Sequence, residues 1–216
     1  MGTNKALRLN KPRAILTGGT VLLLVMMGVS TEVLTAEQTE EAASEKFSPK
    51  TYAESKFASS IAPAIIDRAS DLAPMSLAIS KDKDAAAIEF GVVSGSSAPV
   101  YSAVFAGVAG EVSSDGLLPV VVPGVSDDIK VLIQMGPAIN GTVIRDATGL
   151  VNFPEFTNQI EYQNVGAELN NQVKEHVLST ITASDLNGKT VNVTGSFQPI
   201  NPKAYIVTPV LFEVSK

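Results

Sequence analysis

Apolar and polar positions along this chain change their period several times, and each change marks an element. Residues 14–29 are apolar or small and carry no charge, directly after the bases Lys5, Arg8, Lys11 and Arg13. Residues 35–46 are acidic, small and polar, with no apolar period. From Tyr52 the apolar residues Phe57, Ile61, Ile65 and Ile66 recur at helical spacing, with Ser48 and Pro49 suited to open a helix and Pro63 interrupting it. Two short helices are expected there. Two more are expected over 71–79 and 82–90, separated by Pro74 and the polar step Ser80–Lys83.

After Gly91 the period falls to two. Residues 100–112 have high β-propensity and bend at Gly107 and Gly110; residues 117–122 return after a Ser-Ser-Asp-Gly turn, and residues 129–135 form a third strand. In that third strand Ile129, Val131, Ile133 and Met135 face one way, Lys130 and Gln134 the other. A long helix follows, with Pro154 in its first turn. Its apolar stripe is Phe156, Ile160, Val165, Leu169, Val173, Val177 and Ile181; Glu161, Asn164, Glu168, Asn171 and Glu175 line its other face. A fourth strand over 190–197 sets Val191, Val193 and Phe197 against Thr190, Asn192, Thr194 and Ser196. The fifth covers 204–214, where Pro209 implies an edge or a bulge.

The order strand, strand, strand, helix, strand, strand is that of a small OB-type barrel. The fold class expected is α+β: an N-terminal helical segment packed on an OB-like five-stranded β-barrel, with a long helix between strands 3 and 4. A flat sheet on the same helix is the other architecture this order allows. The chain divides into a signal peptide or N-terminal anchor (1–30), an acidic linker (31–46), a helical segment (47–90) and an OB-like α/β barrel domain (91–216).

The basic lead and short apolar run have the layout of an export signal. The run falls short of the roughly 20 residues that a spanning helix needs. Cleavage before Thr31 is expected, with a second possible cut after Ala36; the alternative is an uncleaved anchor with its basic end in the cytoplasm. Either way the folded part is expected in the periplasm or cell envelope. Without the leader, 12 bases face 22 acids, a net charge near −10 that repels phosphate backbones and excludes nucleic acid as a partner. The chain has no cysteine, so packing alone holds it, and thiolate chemistry and Cys-based metal sites are excluded. No cofactor and no metal is expected.

Residues 136–162 carry the most specific text. Gly136-Pro137, Gly141-Thr142 and Arg145-Asp146 are followed by Phe153, Phe156 and Asn158-Gln159-Ile160. This resembles the signature of a family of predicted periplasmic lipoproteins of unknown function, roughly Gly-Pro-x-x-x-Gly-Thr-x-x-Arg-Asp and then Phe-x-x-Phe-x-Asn-Gln-Ile. The early Phe47-x-Pro segment with Pro63 and the closing Thr208-Pro209-Val210 are similar too, so the resemblance spans about residues 47–214. It implies a helical segment joined to an OB-like barrel, and a place beside ABC-type sugar uptake systems. Two departures stand out: Gly28-Val29-Ser30 occupies the place of the family's lipobox cysteine, and Tyr101 follows Pro99 where members tend to carry Trp.

Arg145, Asp146, Asn158, Gln159 and Glu161 form the densest polar constellation. One reading is a ligand-binding pocket, with Arg145 gripping an anionic or polyhydroxyl ligand and the two amides supplying paired hydrogen bonds. The other is structural: Arg145 pairs Asp146 or Glu161 and ties the helix start to the exit of the third strand. Gly136–Thr142 lacks any phosphate-loop pattern and is read as a bend, with Thr142 capping a short turn. His176, the sole histidine, is a surface residue near a helix C-terminus, and Asp127-Asp128 a solvated turn. The Asn-x-Thr matches at Asn140 and Asn192 are read as chance. With no catalytic set, the expected function is a non-enzymatic binding or accessory protein of the envelope. Its partner would be a small polar ligand or a transport component, with membrane contact only through an uncleaved N-terminal segment. The rivals are a saccharide-acting enzyme using Asp146 and Glu161 as a carboxylate pair, and a structural subunit whose residues 48–90 pack on another protein.

Overall fold

A computed structural model describes residues 47–93 and 98–215; the expected leader and linker lie outside the described residues. Ser48 opens helix α1 (Pro49–Lys56), its hydroxyl accepting from Thr51 N at 3.3 Å. A single π turn (Phe57–Ile61) leads into α2 (Ala62–Arg68), and Pro63 sits in the first turn of α2. Proline has no N–H for the preceding turn, and a widened turn just before it absorbs that gap. Asp71 caps α3 (Leu72–Lys81) through Ala73 N at 3.0 Å, and Asp82 caps α4 (Lys83–Phe90) through Asp84 N and Ala85 N. Pro74 lies within the first turn of α3, where a missing N–H costs nothing, so it does not separate two elements as expected.

The strands β1 (Val100–Ala109), β2 (Leu117–Val121), β3 (Lys130–Gln134), β4 (Thr190–Phe197) and β5 (Ala204–Val214) run in the order β1-β2-β3-β5-β4 and return to β1. The sheet therefore closes on itself, which removes free edges. Only the β3–β5 pair is parallel within this barrel, with Lys130 opposite Ala204. At Gly107 the chain passes so close to β2 that a Cβ would lie 2.5 Å from Val121 O. Pro209 marks a bulge: Leu211 pairs Thr194 and Pro209 pairs Gly195, leaving Val210 as the extra residue. The part of β1 that β2 leaves free is not bare. Ser70–Asp71 pairs with it in parallel and Gly91–Val92 antiparallel.

Between β3 and β4 lie a one-turn helix, α5 (Val143–Asp146), and the long α6 (Gln159–Val173), which ends in a π turn over Lys174–Leu178. The expected start at Pro154 is corrected. Pro154 belongs to a 3₁₀ turn, Phe153–Glu155, after which the chain extends and restarts at Asn158, whose side chain caps α6. Phe156 is buried but outside the helix, and Ile160 faces solvent at 68% exposure. Asn170 and Gln172 replace it among the buried residues of α6.

Two cores result. Inside the barrel Phe197 stacks between Tyr101 and Tyr205, with ring centroids 5.6 and 4.7 Å apart, and Leu72, Met75 and Ile79 of α3 join the same cluster. Outside it, Phe57, Ile61 and Ile65 pack with Val165, Leu169 and Val173 of α6, against Val100 and the bulged Val210. α2 lies over β1, β4 and β5. Thr194 and Ser196, on the face of β4 opposite Val191 and Val193, are therefore buried as well, and Ser196 Oγ meets Ser102 Oγ at 3.2 Å. Exposed large apolar residues of the helical segment fall one on each of α2, α3 and α4: Ile66, Leu77 and Ile88.

Burial raises the phenols of Tyr101 and Tyr205 above their ordinary value. Burial, then the charge and hydrogen bond of Glu155, push Tyr52 up to about 12. An unfolded chain ionises its tyrosines near 10, so between about 10 and 12 it binds fewer protons than the native protein. Stability is then full below pH 10 and is lost as pH rises through that window. Phenolate absorbance should rise at higher pH in the native protein than in urea; coincident titrations would contradict these three environments.

Candidate functional site

The constellation singled out from sequence splits into two groups. In the first, Arg145 Nε and Nη2 donate to the two carboxylate oxygens of Asp146 at 2.7 and 3.0 Å, a bidentate pair with side chains only 11% and 7% exposed. Thr142 Oγ1 donates to Asp146 at 2.7 Å and Tyr162 OH at 3.4 Å. The Arg145 guanidinium lies 3.7 Å over the Tyr162 ring and donates to the Tyr162 carbonyl at 3.3 Å. The ion pair thus joins α5 to α6. Four donors saturate the Asp146 carboxylate, so it is not a free acid facing a cleft.

The second group caps α6. Asn158 Oδ1 accepts from Glu161 N at 2.9 Å, and Glu161 Oε2 accepts from Thr157 N at 2.9 Å. These bonds satisfy N–H groups that a helix start leaves unpaired. Gln159 stands exposed at the first helical residue. The paired-amide pocket of the sequence reading is thus not assembled around Arg145.

The loop that precedes α5 is held from two sides. Gln134, buried on the outer face of β3, donates to Asn140 O at 3.1 Å and to Thr208 Oγ1 at 2.7 Å, and accepts from Asn140 N at 2.8 Å. From α6, Asn170 Nδ2 donates to Gly141 O at 2.9 Å and to Ile139 O at 3.3 Å. Thr142 stands at the start of α5 as expected, but its hydroxyl goes to Asp146 rather than to backbone.

This pinned loop walls a groove of about 580 Å³. The β1–β2 turn contributes Asp115, the pinned loop Asn140 and Thr142, and the β4–β5 loop Gln198, Ile200 and Asn201; Leu117, Gln134 and Ile206 lie on the strands between. Among the described residues no Lys or Arg lines it. In a five-stranded barrel of this kind the face of strands 2 and 3, with the β1–β2 and β4–β5 loops, is where ligands bind. Sequence reasoning missed Asp115, Asn140, Gln198 and Asn201 as site residues. Turn residues mark all three loops in the sequence, at Ser113–Gly116, Gly136–Thr142 and Asn201–Lys203, but nothing in them points to a shared groove.

A second cleft, of about 860 Å³, lies between α3, the β2–β3 loop and Lys203, and contains Asp127 and Asp128. His176 is exposed, stacks on Phe57 at 5.9 Å and meets Gln172 Oε1 at 3.1 Å. Among the described residues no group of three or more His, Cys, Asp or Glu side chains is placed to hold a metal. Among the same residues no helix is long and apolar enough to cross a membrane.

No curated protein matches this chain. A crystal structure of an OB-fold protein from Thermotoga maritima superposes with a TM-score of 0.60 at 22% identity, covering 79% of this chain and 100% of that one. That likeness shares the barrel seen here. The family model described as predicted periplasmic lipoprotein (DUF2291) matches residues 20–213, and the chain belongs to that family of the periplasm and cell envelope.

Proposed function

We propose that the chain is a non-enzymatic binding module of the envelope that takes a small, polar, non-anionic ligand in the groove between the β1–β2 turn, the pinned loop and the β4–β5 loop. The observation that carries this reading is the combination of a pre-held wall with mixed lining. Gln134 and Asn170 fix the loop in place, so little ordering is left for a ligand to induce. Asn140, Gln198 and Asn201 offer amide donors and acceptors beside the apolar Leu117, Ile200 and Ile206, the composition expected of a small-molecule site. Asp115, with no Lys or Arg among the described lining residues, disfavours anions.

The family resemblance supports a place beside an ABC-type sugar uptake system, and an uncharged polyhydroxyl ligand suits the lining. Arg145 and Asp146 enter this reading as the support of the groove wall rather than as ligand contacts. The test is native mass spectrometry of protein taken from its envelope fraction, with Asn140→Ala/Asn201→Ala beside it. Co-purifying small molecules should be lost in the double variant while its thermal transition stays within a few degrees. Equal retention in both proteins would move the site elsewhere.

A further inference from the structure

Five aromatic rings form a continuous cluster at the beginning of the folded part. Phe156 is its hub, with Phe47, Tyr52 and Tyr162 at centroid distances of 5.2, 5.5 and 5.4 Å; Phe153 meets Tyr162 edge-on at 5.6 Å. The cluster runs outward from the buried Phe156 to Phe153, which is 49% exposed. Leu150 and Ile160, on either side of it in the chain, are 49% and 68% exposed. Three exposed apolar side chains thus fall within residues 150–160, beside the aromatic cluster. The neighbouring acids are tied down at the surface: the exposed Glu155 accepts from Asn152 N and from Tyr52 OH, and the half-buried Glu161 from Thr157 N.

The position of the cluster in the chain argues what covers it. Phe47 is the first described residue, and the charge-free apolar run 14–29 lies 17 residues before it. A polar segment of that length reaches about 23 Å as a coil, and about 60 Å at full extension. Any membrane that holds the apolar run therefore meets the Phe47 end of the fold at an effective concentration on the order of millimolar. Exposed apolar side chains such as Leu150, Phe153 and Ile160 insert at the boundary of headgroups and acyl chains, and tyrosines such as Tyr52 and Tyr162 favour the headgroup level.

We propose that the chain keeps its leader uncleaved, the alternative to the expected cut before Thr31, and that this aromatic face docks on the surface of a zwitterionic phospholipid bilayer while the apolar run anchors the chain in it. The proposal is independent of the groove and its ligand. The net charge near −10 of the part beyond the leader favours zwitterionic over anionic lipid.

The chain has no Trp, so a single introduced one reports on its own surroundings. Full-length Phe153→Trp and Ile160→Trp are placed in phosphatidylcholine nanodiscs whose acyl chains carry bromine, which quenches tryptophan on contact. Leu23→Trp reports the anchor, and Ile88→Trp, 87% exposed on α4, reports an exposed apolar position outside the aromatic cluster. Trp at 153 or 160 should lose at least half of its emission relative to unbrominated discs, and Trp at 88 less than a tenth. Quenching at 23 with none at 153 or 160 overturns the docked face, as does equal quenching at 153 and 88. Absence of quenching at all four positions overturns it together with the anchor.

Discussion

Asp146→Ala is expected to lower the unfolding free energy by about 3–5 kcal/mol, since removing one partner leaves a buried charge uncompensated. The Arg145 guanidinium, 11% exposed, would keep only the Tyr162 carbonyl and ring, and the Thr142 hydroxyl would lose its acceptor. Urea unfolding should show the midpoint fall with little change in slope. The double replacement Arg145→Met/Asp146→Leu should recover most of the loss, because apolar residues of similar size need no partner. A loss under about 1 kcal/mol for Asp146→Ala would mean that the pair is not structural, and the sequence reading of Arg145 as a ligand-gripping residue would regain its standing.

Gly116→Ala should be about as damaging. Gly116 has φ +73° at the start of the returning strand, and a Cβ there would stand 1.5 Å from Gly136 O. Its own carbonyl accepts from Met135 N at 2.8 Å, so the two strand ends cannot move apart without losing that bond. Left-handed backbone alone costs a non-glycine residue roughly 1–2 kcal/mol, and the overlap adds to it. A drop of roughly 10 °C or more in Tm is the expected reading for a domain of this size. Gly141→Ala isolates the first contribution: φ is +91°, but nothing lies within 4 Å of the added carbon. It should cost only the backbone share. Equal effects at the two positions would contradict the close approach at Gly116.

The barrel was legible because its strands bury one face strictly. Val131 and Ile133, and Val191 and Val193, alternate as read and all point into the same cluster. Alternation says which side is apolar, not whether something covers the other, so it gave no sign that Thr194, Ser196 and Gln134 are buried beneath helices and loops. The phase of α6 went wrong for a local reason. Pro154 suits a helix start, but Asn158 with Glu161 three residues later is the stronger cap, and a start five residues on rotates Ile160 outward. Arg145 and Asp146 were found as a cluster because they are adjacent. Neighbours on a long helix point apart, and only the brevity of α5 lets them pair. The groove was invisible, since Asp115, Asn140 and Asn201 come from three loops that only barrel closure brings together.

Ser70–Asp71 and Gly91–Val92 both lie along β1, and the chain between them is α3 and α4. A polypeptide trimmed to start at Gly91 would therefore lose a ladder along one strand and the Leu72, Met75 and Ile79 side chains that plug the interior. Unpaired N–H and C=O groups beside an emptied apolar lumen invite self-association. Helices and barrel should accordingly melt together in one transition, and limited proteolysis within residues 72–90 should release no stable fragment.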